Sequence, residues 1–415
     1  MKSILLSLLF ILFFSELDAQ IYWPNDLEYF KTELPKRHKN LFFKMPKKEF
    51  DARVDALIKE SMSLPDIAIG VRLQQLFADI GDPHSNISMR VFVDGNKNIP
   101  IRTYWFEDGI YITRTSESHG KIVGSKIKTI NGHPIETIVD SLSTLLVQDN
   151  PSINKAYLPS YLRVGQVLEY FGFVDTEQPI VFSLENKNGT FEEIFEPNKN
   201  EKITTQPDVK KLGIGYQDTK TYFWERYLES DSIYFVQYNR CWSKKLQRKF
   251  GNKKKAKDLP KFKSFSKKVF ATIEEKPINK FIFDMRHNGG GSSLQGSLFV
   301  RKLKGYKKVN QRGKLFVIIG RNTFSSAIIN TLNFKNQTAA IVIGEETAGS
   351  PDHYGEVRVF KMPSSGVQIR YSTKYFNFTK QNLKSILPDK EVPVHFSDYE
   401  KGVDAAFEFA KNYAQ

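Results

Sequence analysis

Lys280-Phe281-Ile282-Phe283-Asp284-Met285-Arg286-His287-Asn288-Gly289-Gly290-Gly291 (residues 280–291) is an apolar run that ends in three glycines. A short continuous apolar run bounded by turn residues suits a fully buried strand. The glycines after it let the backbone pass close to a ligand and turn amide N–H groups toward it. Outward from this stretch the pattern repeats. Ser232 to Tyr238, Lys314 to Gly320 and Ala339 to Gly344 read as further buried strands. Phe262 to Glu274, Ser292 to Leu303 and the residues from Phe324 onward read as helices between them. Apolar strands alternating with helices predict an α/β part over residues 206–415 with a mostly parallel sheet.

Toward the N-terminus the period changes. Residues 91–205 carry short strand-like runs such as Lys126 to Ile130 and Ile180 to Leu184. An Asn131-Gly132 turn and a helix-like Glu136 to Leu146 follow the first of these. A strand, a turn and a helix in that order suit a degenerate PDZ-like module, interrupted by an insertion from Gln148 to Phe173. Residues 20–90 read as helical. Phe50, Val54, Leu57 and Ile58 recur at helical spacing, and a second helix is expected to begin with Ser63 as N-cap and to stop at Gly81. Residues 1–19 read as a cleavable signal peptide, with Lys2, an apolar run from Ile4 to Phe14, and Leu17 and Ala19 before the cut. A secreted or periplasmic location is therefore expected. No second apolar run long enough to span a bilayer follows, so no stable membrane insertion is expected.

Composition narrows the function classes. Of the 415 residues, 40% are apolar and 26% charged, enough to build cores and too ordered in character for a disordered chain. One cysteine, Cys241, excludes an internal disulfide and a cysteine-based metal cluster. The seven histidines form no ligand spacing, so no metal and no cofactor are expected. The net charge of +15 is concentrated. Between Ser243 and Lys268 stand 12 lysines and arginines against one acid, Asp258. Without an aromatic RNA-binding signature this reads as a solvated loop leading into a helix, and no nucleic-acid partner is expected.

Three constellations can carry chemistry. The glycine run 289–291 follows one buried strand. Arg321-Asn322-Thr323-Phe324-Ser325-Ser326-Ala327 follows another and opens a helix, which sets a serine hydroxyl near a positive helix N-terminus. Taken alone, Ser325 or Ser326 suits a plain N-cap. Asp82-Pro83-His84-Ser85 offers an imidazole, the natural base for a serine hydroxyl, although a lone loop histidine is usually a surface residue.

In this order the three segments resemble the C-terminal-processing peptidases, or tail-specific proteases, and their tricorn-core relatives. The glycine segment is similar to the family's D-x-R-x-N-G-G-G and the serine segment to its T-x-S-[SA]-A. Val342-Ile343-Gly344-Glu345-Glu346-Thr347-Ala348-Gly349 is similar to V-x-G-E-x-T-x-G. Leu387-Pro388-Asp389 through Val392, then Gly402-Val403-Asp404, is similar to the family's tail. The resemblance implies a helical N-terminal part, a PDZ-like domain and a ClpP/crotonase-like α/β catalytic domain. It implies Ser325 as nucleophile, an oxyanion hole from Gly291 and Ser326 with Gly290 beside them, and peptides or proteins as substrates. Ser350 stands where one branch has its lysine base, and Asp82-Pro83-His84-Ser85 is similar to the D-x-H-[ST] loop that supplies a histidine in the tricorn-like branch, so the base the resemblance implies is His84. Two positions depart from the pattern. Ile328 stands where a glutamate is frequent, and Asn382 stands nearest to the glutamate that orders the histidine. The orienting group is left open among Ser85, Glu345 and Glu346. Two functions are therefore in play: a secreted serine endopeptidase, and a non-catalytic protein that binds a peptide or an apolar ligand on the same fold.

Overall fold

The computed structural model describes residues 21–197, 199 and 201–414; the expected signal peptide lies outside them. The C-terminal part is built on a six-stranded sheet. Its order runs Lys390–Glu391, Ile341–Gly344, Leu315–Ile319, Lys280–Asp284, Ile233–Tyr238 and Phe223–Leu228. All pairings are parallel except that of the first hairpin, Phe223–Leu228 with Ile233–Tyr238. The sheet is thus mostly parallel, as its near-continuous apolar strands predict.

Strands that follow one another side by side by right-handed crossovers leave the connecting helices on one face. Helices Phe262–Glu275, Ser293–Leu303 and Ser326–Gln337 cover that face and pack on Phe281, Phe283, Val317 and Val342. The opposite face, with Ile282, Phe316, Ile318 and Ile343, is covered by Ala406, Phe407 and Ala410 of the helix Ala405–Asn412. Strands Lys280–Asp284 and Leu315–Ile319 are direct neighbours, so the glycine loop and the serine turn leave the sheet side by side.

Ahead of this lie helices Trp23–Arg37, Lys47–Glu60 and Asp66–Ile80. The last begins later than the sequence suggests. Ser63 caps nothing; its hydroxyl donates to the carbonyl of Glu60. A residue before proline, as Leu64 is, disfavours the helical region, and Pro65 itself is extended at ψ 148°, so the helix starts after it. The middle sheet has the order Ile101–Phe106, Gly109–Thr115, Lys126–Ile130, Ile180–Asn186 and Gly189–Phe195. Asn131 and Gly132, both at positive φ, turn the chain after Lys126–Ile130, and the helix Ile135–Ser143 follows. The Gln148 to Phe173 insertion folds as two helices, Pro151–Tyr161 and Gly165–Tyr170. Its buried side chains join those of the N-terminal helices and the middle sheet in one cluster.

A third sheet ties the two ends of the chain together. The hairpin His353–Lys361 and Gln368–Phe376 leaves the α/β part, and its second strand pairs with Asn86–Ile87. That pairing, Asn86 with Arg370, carries the 82–85 loop toward the serine turn. Among the described residues no helix is long and apolar enough to cross a membrane.

Candidate active site

The glycine loop is fixed by buried polar groups at its root. Asp284 accepts the backbone N–H of Arg286 at 2.9 Å, and the Arg286 guanidinium reaches on to Asp404 at 2.8 Å. Asn288, fully buried, donates to the carbonyl of Tyr238 at 2.7 Å. Its own carbonyl accepts the amide of Phe324 at 3.0 Å, which ties the glycine loop to the serine turn. Gly290 and Gly291 have φ of 99° and 134°, a region that side chains rarely adopt. Space forbids side chains as well. A Cβ at Gly290 would lie 2.8 Å from Cβ of Ser325, and one at Gly291 would lie 2.5 Å from the carbonyl oxygen of Cys241.

Ser325 itself has φ 53° and ψ −121°. It is not a helix cap by side-chain hydrogen bond. A non-glycine residue held there is strained by about 1–3 kcal/mol, and such strain gathers at functional turns. The helix Ser326–Gln337 starts at the next residue, so the hydroxyl lies by a helix N-terminus with its partial positive charge. Ser326 donates its hydroxyl to the carbonyl of Gly291 at 2.9 Å. Among the described residues the amides of Gly291 and Ser326 have no hydrogen-bond acceptor. Gly290 differs. Its amide is donated to the Asn288 side chain at 3.0 Å, so Gly290 is not a free donor as expected from the sequence. Its part is to leave room for Ser325. Cys241 runs alongside Gly291, but burial pushes its thiol up to about 12 and makes it a poor nucleophile.

His84 reaches the same region without closing on Ser325. Its ring stacks on Phe324, the residue before Ser325, with centroids 4.6 Å apart, and on His353 at 5.0 Å and 13°. No hydrogen bond joins it to Ser325. The residue is half-buried, while both ring nitrogens are buried and unpaired. Burial lowers its pKa to about 4, against the attraction of Asp82 and helped by His353. The imidazole is therefore neutral at ordinary pH. His353 enters the site although no motif marks it. Its Nδ1 lies 2.8 Å from the carbonyl of Ser350, so that nitrogen carries the hydrogen and Nε2 keeps the lone pair.

None of the three open candidates orients His84. Ser85 donates to Asp82 at 2.5 Å, Glu345 pairs with the buried Arg321, and Glu346 accepts from Ser152 and Ser385. Asp82 is fully buried. Burial raises its pKa, but hydrogen bonds from His38 at 3.0 Å, Ser372 and Ser85 hold it below the usual carboxylate value. Its Oδ1 accepts the backbone N–H of His84, not the ring. Ile328 is fully buried next to Gly349 and Phe324, an apolar place with no use for a carboxylate. Asn382 turns at φ 51° and gives its amide to Asp352. Ser350 donates inward to the carbonyl of Asp352 at 2.7 Å. A cleft of 520 Å³ opens beside His84 and Phe324; Phe77, Leu145, Val147, Ile153 and Tyr157 are among its lining residues, as is Arg370.

Residues 295–392, which include Ser325, match Peptidase family S41. No curated protein matches the sequence. The chain is similar to the structure of mature CPAF complexed with lactacystin at 13% identity and TM-score 0.61, covering 93% of this chain and 96% of that one. Mature CPAF alone gives 13% identity and TM-score 0.60, covering 93% and 95%. The photosystem II D1 C-terminal processing protease gives 13% identity and TM-score 0.41, covering 92% and 98%. At such identities the CPAF likeness is one of fold. It agrees with the family match and with the resemblance to C-terminal-processing peptidases that the motifs carry.

Proposed function

We propose that this chain, which bears the S41 peptidase match and shares a protease fold, is an exported serine endopeptidase acting by acyl transfer. Ser325 Oγ attacks the scissile carbonyl and passes its proton to His84. The oxygen that becomes negative lies against the amides of Gly291 and Ser326. His84 then returns the proton to the leaving amine, and a water activated by the same imidazole releases the acyl group. The observation that carries this reading is the left-handed conformation of Ser325 at a strand-to-helix turn, with two free amides beside it. A strained turn of this kind is how a serine nucleophile is held clear of its own backbone. For proton transfer His84 has to leave the Phe324 ring and meet Ser325. Catalytic hydrogen bonds are often open before substrate arrives.

The finer organisation belongs to the same proposal. Residues 20–90 form a helical part, 91–205 a degenerate PDZ-like domain that holds a substrate tail by strand addition, and 206–415 a ClpP/crotonase-like catalytic domain. Residues 1–19 direct export, which gives a secreted or periplasmic enzyme.

A second reading has its own support. The cleft of 520 Å³ is largely apolar, and His84 makes no bond to Ser325. Both suit a protein that binds an apolar peptide without cleaving it. A fluorophosphonate probe decides between them. The peptidase reading expects covalent labelling of the native protein, none of Ser325→Ala, and hydrolysis of an unstructured protein substrate. An unlabelled, well-folded native protein that binds peptides intact would establish the second reading.

A further inference from the structure

The twelve cations between Ser243 and Lys268 do not form the solvated loop expected from the sequence. They sit on a folded arm made of helix Lys244–Phe250, the 3-10 turn Lys254–Ala256 and helix Phe262–Glu275. The base of the arm is closed by the amide of Lys244 on the carbonyl of Pro260, at 2.9 Å. The Lys244 ammonium also donates to the carbonyl of Lys257 at 2.8 Å, and Ala256 is fully buried beneath. All the cations but Lys244 are exposed. Among the described residues only Lys268 reaches a carboxylate, that of Glu225. A folded surface thus keeps a concentration of like charge with little compensation.

The arm grows directly from the candidate oxyanion hole. Cys241 donates to the carbonyl of Gly290 at 3.1 Å and accepts the amide of Ser292 at 2.7 Å, which makes its backbone run parallel to Gly291. Trp242 then donates to Gln247 of the arm at 2.8 Å, and Gln295 donates to the Trp242 carbonyl at 3.3 Å. The first arm helix, seven residues, is only about 10 Å long. The arm begins three residues after Cys241, the backbone neighbour of Gly291. At physiological salt fields persist over about 8 Å, so such a patch acts on chain segments that flank the cleaved bond.

We infer that the basic arm 243–268 is a recruiting surface that holds an acidic stretch of the polypeptide substrate beside Ser325. The inference rests on the peptidase reading for its purpose. A polypeptide is favoured over a nucleic acid by what surrounds the charges. Leu294 and Leu298, one turn apart on the helix that follows Gly291, are exposed and add apolar surface next in sequence to the glycine loop. The exposed Phe250 is covered by the ammonium of Lys249, 4.9 Å from its ring centre, and is not part of a row of free aromatic faces for stacking bases.

The test separates binding from cleavage. Full-length Ser325→Ala protein is titrated with a labelled peptide carrying a run of glutamates, with its glutamine counterpart, and with a single-stranded oligonucleotide of equal charge. The acidic peptide should bind about tenfold or more tightly than the glutamine peptide at low salt, and the gap should close near about 0.5 M salt. Changing Arg248, Lys249, Lys253, Lys254 and Lys255 to glutamine should remove the gap. All five are exposed, so the fold should hold; the triple change at 253–255 alone should remove part of it. Equal binding of the two peptides, or a gap that survives in the arm variant, overturns the inference. So does an oligonucleotide that binds as tightly as the acidic peptide. Hydrolysis by the native protein without charge preference would sink this inference and leave the peptidase reading intact. An acidic preference in binding with no hydrolysis would do the reverse.

Discussion

The serine side and the histidine side of the candidate site are built by different means. Ser325, Gly290 and Gly291 stand on loops that leave adjacent parallel strands, and Asn288 bonds one loop to the other. Among the described residues the Asn288 side chain and the Gly290 amide there are paired, whereas the amides of Gly291 and Ser326 are not. His84 arrives from the N-terminal part, carried by a two-residue strand paired to a hairpin from the other end of the chain. It has neighbours on its faces and none at its nitrogens. A site assembled from one sheet edge is complete as it stands, whereas a site assembled across parts of the chain can be completed by the substrate.

The strongest test of that contrast removes one member from each side. Ser325→Ala should lower kcat/KM by about a thousandfold or more, and His84→Ala should do nearly the same, with the double variant little worse. Hydrolysis of a fluorogenic peptide measures this. Turnover that survives His84→Ala would break the comparison, because the base would then belong elsewhere, with His353 the nearest imidazole.

How far the sequence could be read follows the same division. The strands 280–284 and 315–319 and the loops after them are legible, because apolar runs, glycines and a helix start are local signals. The 82–85 loop is legible as a motif but not in its company. That His353 would stack on it depends on a hairpin reaching over from the far end of the chain, and no spacing encodes that. The amide of Gly290 was readable only as one of three equivalent donors; the Asn288 side chain that occupies it comes from loop geometry. The lysine run was legible as charge, and its folded form depends on Leu246 and Ala256 finding burial.

Ile328→Glu probes the serine side next. Restoring the residue frequent in related peptidases should not improve this protein. Ile328 is fully buried in apolar surroundings, so an unpaired carboxylate there should cost on the order of 3–5 kcal/mol. Urea denaturation reads the loss. A variant of unchanged stability and higher turnover would mean that the serine side is incomplete after all.

The histidine side should show itself in the pH dependence of stability. The unfolded chain takes a proton on His84 near pH 6.5, while the folded chain refuses it until about 4. Between those values the unfolded state binds more protons, so stability falls as pH falls. The full effect is about 3 kcal/mol, complete near pH 4. Asp82, held below its ordinary 3.8, adds its loss only at lower pH. Chemical denaturation at stepped pH should therefore show a slope between 6.5 and 4 that is reduced in His84→Gln. An unchanged slope would mean that the nitrogens of His84 meet water or a partner in solution.

The smallest expected effect concerns the stack itself. His353 lies face to face with His84, and its proximity is one of the causes that lower the His84 pKa. Replacing it by phenylalanine keeps an aromatic face and removes a group that can become charged. The His84 pKa should then move up, by less than burial moves it down, because burial is the larger cause. Nuclear magnetic resonance of the His84 ring follows this directly. Turnover should change little, since the Nδ1 of His353 is already committed to the carbonyls of Ser350 and Pro351. The two carbonyls left without their donor should cost about 1 kcal/mol each in stability, which the melting temperature would register. A collapse of turnover with an unmoved His84 pKa would transfer the base from His84 to His353. The histidine side would then come from the same end of the chain as the serine side.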